Sequence, residues 1–188
     1  QFDMTIGGAG DGEPLRISGP VGIVLIMGLL AILPTLLLLM TSFTRVFIVL
    51  TLLRQAIGAQ GSPPGHLIAA ISLLLTGFIM MPTLEEANRV ALQPFLAGEL
   101  TQAEAMAAAV KPFREFMYEH TREDELAAFI EMSGIEPDTI DDVPTTVLAS
   151  AFVVGELKTA FMIAFFLYLP FLIIDMVVTS ALMALGAF

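Results

Sequence analysis

The chain has no cysteine, no tryptophan, two tyrosines and two histidines among its 188 residues. Without cysteine there is no disulfide, no thiolate metal site and no cysteine nucleophile. With so few histidines, hardly any nucleophile–base pair can be assembled. A phosphate-binding loop, a nucleophile elbow and a zinc-binding His-Glu-x-x-His are missing as well. These absences point away from an enzyme and from any cofactor. The shortage of Trp and Tyr removes the aromatic belts with which a lipid-bathed bundle usually meets its two interfaces. The aromatics are nearly all Phe, fourteen of them, which favours burial against protein as much as against lipid. Basic residues are scarce too, eight Lys and Arg against nineteen Asp and Glu, for a net charge of -11. That sign argues against a nucleic-acid partner and against an anionic membrane surface.

Apolar side chains are abundant. They make up 56% of the chain, with a mean hydropathy of +0.85, more than soluble domains carry. The expected class is an all-α membrane protein or a deeply buried subunit. Eleven methionines suit adaptable packing surfaces. The charge is uneven: fourteen of the nineteen acidic residues and four of the eight basic ones lie between Thr83 and Pro144. The pattern predicts kinked hydrophobic helical hairpins flanking a small acidic helical subdomain. Its expected parts are a polar arm over 1–19, a first hairpin over 20–82, the subdomain over 83–144 and a second hydrophobic segment over 145–188.

Residues 1–19 are Gly-rich and read as a loosely docked arm, with Ser18-Gly19-Pro20 as a helix start. The chain opens at Gln1 without a signal peptide, as a processed precursor or a trimmed chain would. No charge occurs between Arg16 and Arg45, long enough for a spanning helix, and Pro34 inside it predicts a kink. Arg45 and Arg54 are the only charges between Arg16 and Glu85. Gly58 and the turn Gly61-Ser62-Pro63-Pro64-Gly65 end that helix, and His66 is a polar helix-start residue. By the positive-inside rule this bend is cytoplasmic, and the acidic subdomain lies on the other side.

Within the subdomain, Phe113, Phe116, Met117 and His120 share one helix face. Thr121 reads as a fresh N-cap before an acidic first turn. His120 with Glu119, Glu123 and Asp124 matches no metal-ligand spacing, and a solvated charged face explains them better. The third apolar run holds the stretch with the most information. Glu156 and Lys158 stand at its entrance and Asp175 closes it, with no charge between Lys158 and Asp175. Charges set so deep are costly unless paired or enclosed by protein. Glu156 and Lys158 are two apart and face different ways, so at least one must pair with another helix or another subunit. Pro170 predicts a second kink.

Three groups of motifs carry a resemblance. Met40-Thr41-Ser42-Phe43-Thr44-Arg45 with Leu53-Arg54 and Pro63-Pro64 is the first. Phe113-Arg114-Glu115-Phe116-Met117 with Thr121-Arg122-Glu123 is the second. Glu156-Leu157-Lys158-Thr159-Ala160-Phe161 with Leu169-Pro170-Phe171-Leu172-Ile173-Ile174-Asp175 is the third. In this order, over nearly everything from Ile23 to Gly186, they resemble the FliP family of flagellar type III export proteins. The resemblance implies a non-enzymatic, pore-forming core subunit of the export gate. It would sit in the bacterial inner membrane at the flagellar basal body, in several copies, with FliQ, FliR, other export-apparatus proteins and the exported flagellar proteins as partners.

Arg45, Arg54, Glu156, Lys158 and Asp175 would then be inter-helix or inter-subunit ties. Met183, Gly186 and Phe188 would be pore-proximal. In the family, Met183-Ala184-Leu185-Gly186 is followed by a Met-rich loop. Here Ala187-Phe188 follow, so that element is either absent from the subunit or lies beyond residue 188. The rival readings are the equivalent injectisome subunit, a small secondary transporter with broken helices, and, more distantly, an intramembrane hydrolase using Asp175.

Overall fold

A computed structural model describes residues 38–58 and 63–186, together with 5–6, 15–16, 24, 27, 28, 31 and 35. The chain divides into two units, Gln1–Leu37 and Leu38–Phe188. In the first, β1 (Thr5–Ile6) and β2 (Leu15–Arg16) form a two-residue antiparallel ladder, Thr5 opposite Arg16 and Ile6 opposite Leu15. Val24, Met27, Gly28, Ala31 and Thr35 are helical and exposed. The expected helix start at Ser18 and the expected kink at Pro34 lie outside the described residues.

The described residues of the second unit are helical apart from the turns between helices. α1 (Phe43–Ala56) ends where Gly58 adopts φ 70°, a left-handed turn that costs glycine least. Its Arg54 lies in the last turn, where a cation suits the helix dipole. α2 (Gly65–Ile79) packs back on α1. Its buried face carries Ile68, Ser72 and Thr76. Ser72 donates to the Ile68 carbonyl and Thr76 to the Ser72 carbonyl, both at 2.7 Å, so these buried hydroxyls are satisfied within the helix.

Pro82 follows immediately. Its ring cannot continue the hydrogen-bond ladder, and the chain turns by 60° between α2 and the helix over Met81–Leu96. α3 (Met81–Ala87) runs through a π-helical turn (Asn88–Leu92) into a last short stretch (Gln93–Leu96) around Pro94.

α4 (Gln102–His120) opens on a capping box. The Thr101 amide donates to Glu104 Oε2 at 2.8 Å, and the Glu104 amide donates back to Thr101 Oγ1. The Thr101 hydroxyl also donates to Glu104 Oε2, at 2.7 Å, and the bonds from the Thr101 amide and hydroxyl, the amide's first, hold the Glu104 carboxyl below its ordinary range. α5 (Glu123–Ser133) starts one residue later than the sequence pattern predicts. Its N-cap is Arg122, and Thr121 instead closes α4, donating to the Met117 carbonyl at 2.6 Å. A threonine hydroxyl at a helix junction can accept from an amide of the next helix or donate to a carbonyl of the last, and here it donates backward.

α6 (Thr145–Ala184) is a single helix of 40 residues, unbroken through Pro170. At a rise of ~1.5 Å per residue it is about 60 Å long, twice a hydrocarbon thickness. Among the described residues it is the one helix long and apolar enough to cross a membrane. Its N-terminal half packs against α1, α4 and α5. Its C-terminal half, from Phe165 to Leu185, is almost entirely exposed. The core lies where α4 crosses α6 and comprises Met80, Phe116, Met117, Val143, Leu148 and Phe152. The Phe116 and Phe152 rings meet edge to face, with centroids 5.9 Å apart.

Candidate functional site: a charge joint on the long helix

One turn of α6, Gly155-Glu156-Leu157-Lys158, meets two other helices. From α1 comes Arg45, whose Nε lies 3.2 Å from Glu156 Oε2. The Glu156 side chain is 2% exposed and the Arg45 side chain 25%, so the carboxylate is sealed while the guanidinium keeps an edge toward solvent. From the first turn of α5 comes Glu125, whose Oε1 lies 3.1 Å from Lys158 Nζ, with Asp124 farther off at 3.9 Å. Arg122 Nε donates to Asp124 Oδ1 at 3.1 Å. That bond is the main reason the Asp124 carboxyl is held below its ordinary range, with smaller contributions from the charges of Arg122 and Lys158.

Two cations and two buried carboxylates therefore balance on one helical turn. The balance is electrostatic more than directional. Both oxygens of Glu125, Oε2 of Glu156 and the hydroxyl of Ser42 are buried without a hydrogen-bond partner among the described residues. Buried charges that attract without well-aimed hydrogen bonds recover only part of their desolvation cost. Such a joint contributes little net stability, but breaking one side of it is expensive.

The remaining residues singled out by sequence are dispersed. Arg54 is half-buried at the far end of α1 and makes no ion pair among the described residues. Asp175 is exposed in the apolar half of α6, also without an ion pair among the described residues. Met183 is 60% exposed near the end of α6, and Gly186 follows it with φ 69°. Phe188 lies outside the described residues. His120 bonds the Phe116 carbonyl through Nδ1 at 2.8 Å and stacks on the Phe116 ring at 4.3 Å.

Sequence reasoning missed three residues, two at the joint and one at the start of α6. Glu125 is one of three consecutive acidic residues, Glu123, Asp124 and Glu125, and nothing in the pattern says which of them turns inward. Gly155 sits in an apolar helix, where a lone glycine is a mild signal of close approach. Arg114 belongs to a quoted motif, yet its task was not legible. It donates to Thr145 Oγ1 at 2.6 Å and to the Val143 carbonyl at 2.8 Å. It also reaches the Ile140 and Asp141 carbonyls at 3.5 and 3.4 Å. One guanidinium thus ties α4 to the turn that delivers the chain into α6.

Comparison with known proteins bears on this arrangement. The FliP family model matches residues 26–188. The flagellar biosynthetic protein FliP of Bacillus subtilis is 41% identical over 175 residues, covering 93% of this chain and 79% of the relative. Its counterpart in Aquifex aeolicus is 43% identical over 169 residues, covering 88% and 71%. That of Pectobacterium carotovorum is 47% identical over 158 residues, covering 84% and 61%. All the residues of the charge joint fall inside the matched range.

Proposed function

The chain belongs to the FliP family, and on that premise we propose that it is a structural, non-catalytic component of the flagellar protein export apparatus and forms part of its membrane pore. The observation that carries the pore reading is the C-terminal half of α6. From Phe165 to Leu185 it is exposed and apolar, and Asp175 stands in its middle. A carboxylate facing hydrocarbon there would be expensive. The economical surroundings are other protein subunits or a wet channel between them. The scarcity of Tyr and the absence of Trp fit the same picture, since a helix enclosed by protein needs no interfacial belt.

In this reading the partners are further copies of the chain, FliQ, FliR, other export-apparatus proteins and the exported flagellar proteins. The assembly sits in the bacterial inner membrane with the acidic subdomain, residues 83–144, on the periplasmic side. Arg54 and Asp175 tie neighbouring subunits, and the Arg45–Glu156 and Lys158–Glu125 pairs hold each subunit in an assembly-competent shape. Pro34 and Pro170 are the places where the apolar segments bend on assembly, so that they pack as kinked hairpins. Met183, Gly186 and Phe188 lie near the pore. Conduction is passive, with energy supplied by other components.

The test is the native mass of the protein in detergent, produced alone and then together with FliQ and FliR. A discrete multi-copy particle that recruits both supports the proposal. A monomer or simple dimer that ignores both would defeat it.

A further inference from the structure

Gly155 is the one glycine among the described residues at which an added β-carbon would meet a neighbour, and that neighbour is the carboxylate of Glu125. The new methyl would run into Oε2 and come within 3.4 Å of Cδ. Glu125 is 8% exposed, and neither of its oxygens has a hydrogen-bond donor among the described residues. Three residues along α6 from Gly155, and hence on the same face, Lys158 places its ammonium 3.1 Å from Oε1. The carboxylate therefore drops into a slot. Glycine supplies the room on one side and lysine supplies the charge on the other. Leu126 and Ile130, on the same short helix, pack on the core, so where Glu125 seats decides where they land.

We infer that Gly155, Glu125 and Lys158 form a seat that fixes the register of α5 on α6, with Glu125 and Gly155 acting as positioning residues for the charge joint. Charge, length and room are all required. A neutral side chain of the same length would lose the pull of Lys158. With a β-carbon at position 155 the Glu125 carboxylate, the free end of its side chain, would have to swing aside from the place where Lys158 holds it. Alanine is the better helix former, so where space is free a Gly→Ala change tightens a helix. Here the same change pushes the Glu125 carboxylate off its place beside Lys158 and should loosen the contact between two helices, and this reversal of sign identifies the seat.

The test is hydrogen exchange of the α5 amides, Glu123 to Ser133, in the full chain purified in detergent. Gly155→Ala should speed their exchange about tenfold or more. Adding Glu125→Asp, which keeps the charge and withdraws it by one methylene, should bring exchange back to within about threefold of the parent. Adding Glu125→Gln, which keeps the length and removes the charge, should not. Unchanged or slower exchange in Gly155→Ala would overturn the inference, as would equal rescue by Asp and Gln. If Gly155→Ala does not accumulate, recovery of accumulation by Glu125→Asp but not by Glu125→Gln reads the same seat. Failure of Glu125→Asp to recover it would overturn the inference.

The seat stands on this exchange measurement alone. Its consequence for transport rests on the proposed export role, so secretion of flagellar proteins by cells carrying the same variants forms a separate arm. Normal secretion with a loosened α5 would count against the export role assigned to this helix while leaving the seat intact.

Discussion

Replacing Arg45 by methionine should harm the protein more than replacing its partner Glu156 by glutamine, although each change breaks the same ion pair. The reason is unequal burial. Glu156 is sealed at 2% exposure, whereas Arg45 keeps a quarter of its side chain accessible. With Arg45→Met, a carboxylate remains in the interior with no cation, and stranding one member of a buried pair costs about 3–5 kcal/mol. With Glu156→Gln, the freed guanidinium can lean toward water, and the buried amide costs about 1–3 kcal/mol for imperfect hydrogen bonding. The two single variants should thus differ by about 2 kcal/mol, roughly thirtyfold in the folding equilibrium. The double variant Arg45→Met/Glu156→Gln should be more stable than Arg45→Met alone, because no charge is left behind. Thermal or denaturant unfolding in detergent, followed by helical circular dichroism, reads all four proteins of the cycle. Equal costs for the two single changes, or a double variant as poor as their sum, would refute this account of the joint.

Other parts of the fold give their own expectations. Arg114→Ala should free the turn that leads into α6 and cost about 1–3 kcal/mol, since one strong charged donor to a part-buried turn is lost. Faster amide exchange at Asp142 and Val143, with little change in α3, is the corresponding signature. Phe152→Ala removes a fully buried ring at the α4–α6 crossing and should cost about 3–5 kcal/mol, read as a lowered unfolding midpoint. The capping box of α4 should be sensitive to acid. The folded Glu104 carboxyl is depressed, so its contribution is complete above the ordinary glutamate range and fades as the pH falls through the folded value. Protection of the Glu104 and Ala105 amides, taken relative to their intrinsic exchange rates, should therefore fall in acid, and Glu104→Gln should remove that fall.

Much of the fold was legible because helices announce themselves locally. Gly58 marks a helix end through backbone chemistry that needs no partner. The stretch around Glu156 was legible for a different reason. Two charges at the mouth of an apolar run cannot pair with each other on one helix, so partners elsewhere were required. The partners themselves were not legible. Arg45 and Glu156 are more than a hundred residues apart in sequence, and only helix packing makes them neighbours. Thr121 was assigned to the wrong helix because a hydroxyl at a junction can accept from an amide ahead of it or donate to a carbonyl behind it.

The sequence alone determined that this is a chain of apolar helices interrupted by an acidic segment, and that its charges near Glu156 called for partners. Hydropathy, helix caps and helix breakers act over a few residues and are written in order along the chain. The tertiary structure decided which carboxylate turns inward, that Gly155 makes room for it, and that Glu156 pairs with Arg45 on α1 while Lys158 pairs with Glu125 on α5. Those outcomes depend on distances between helices, and the spacing of residues within any one helix does not encode them.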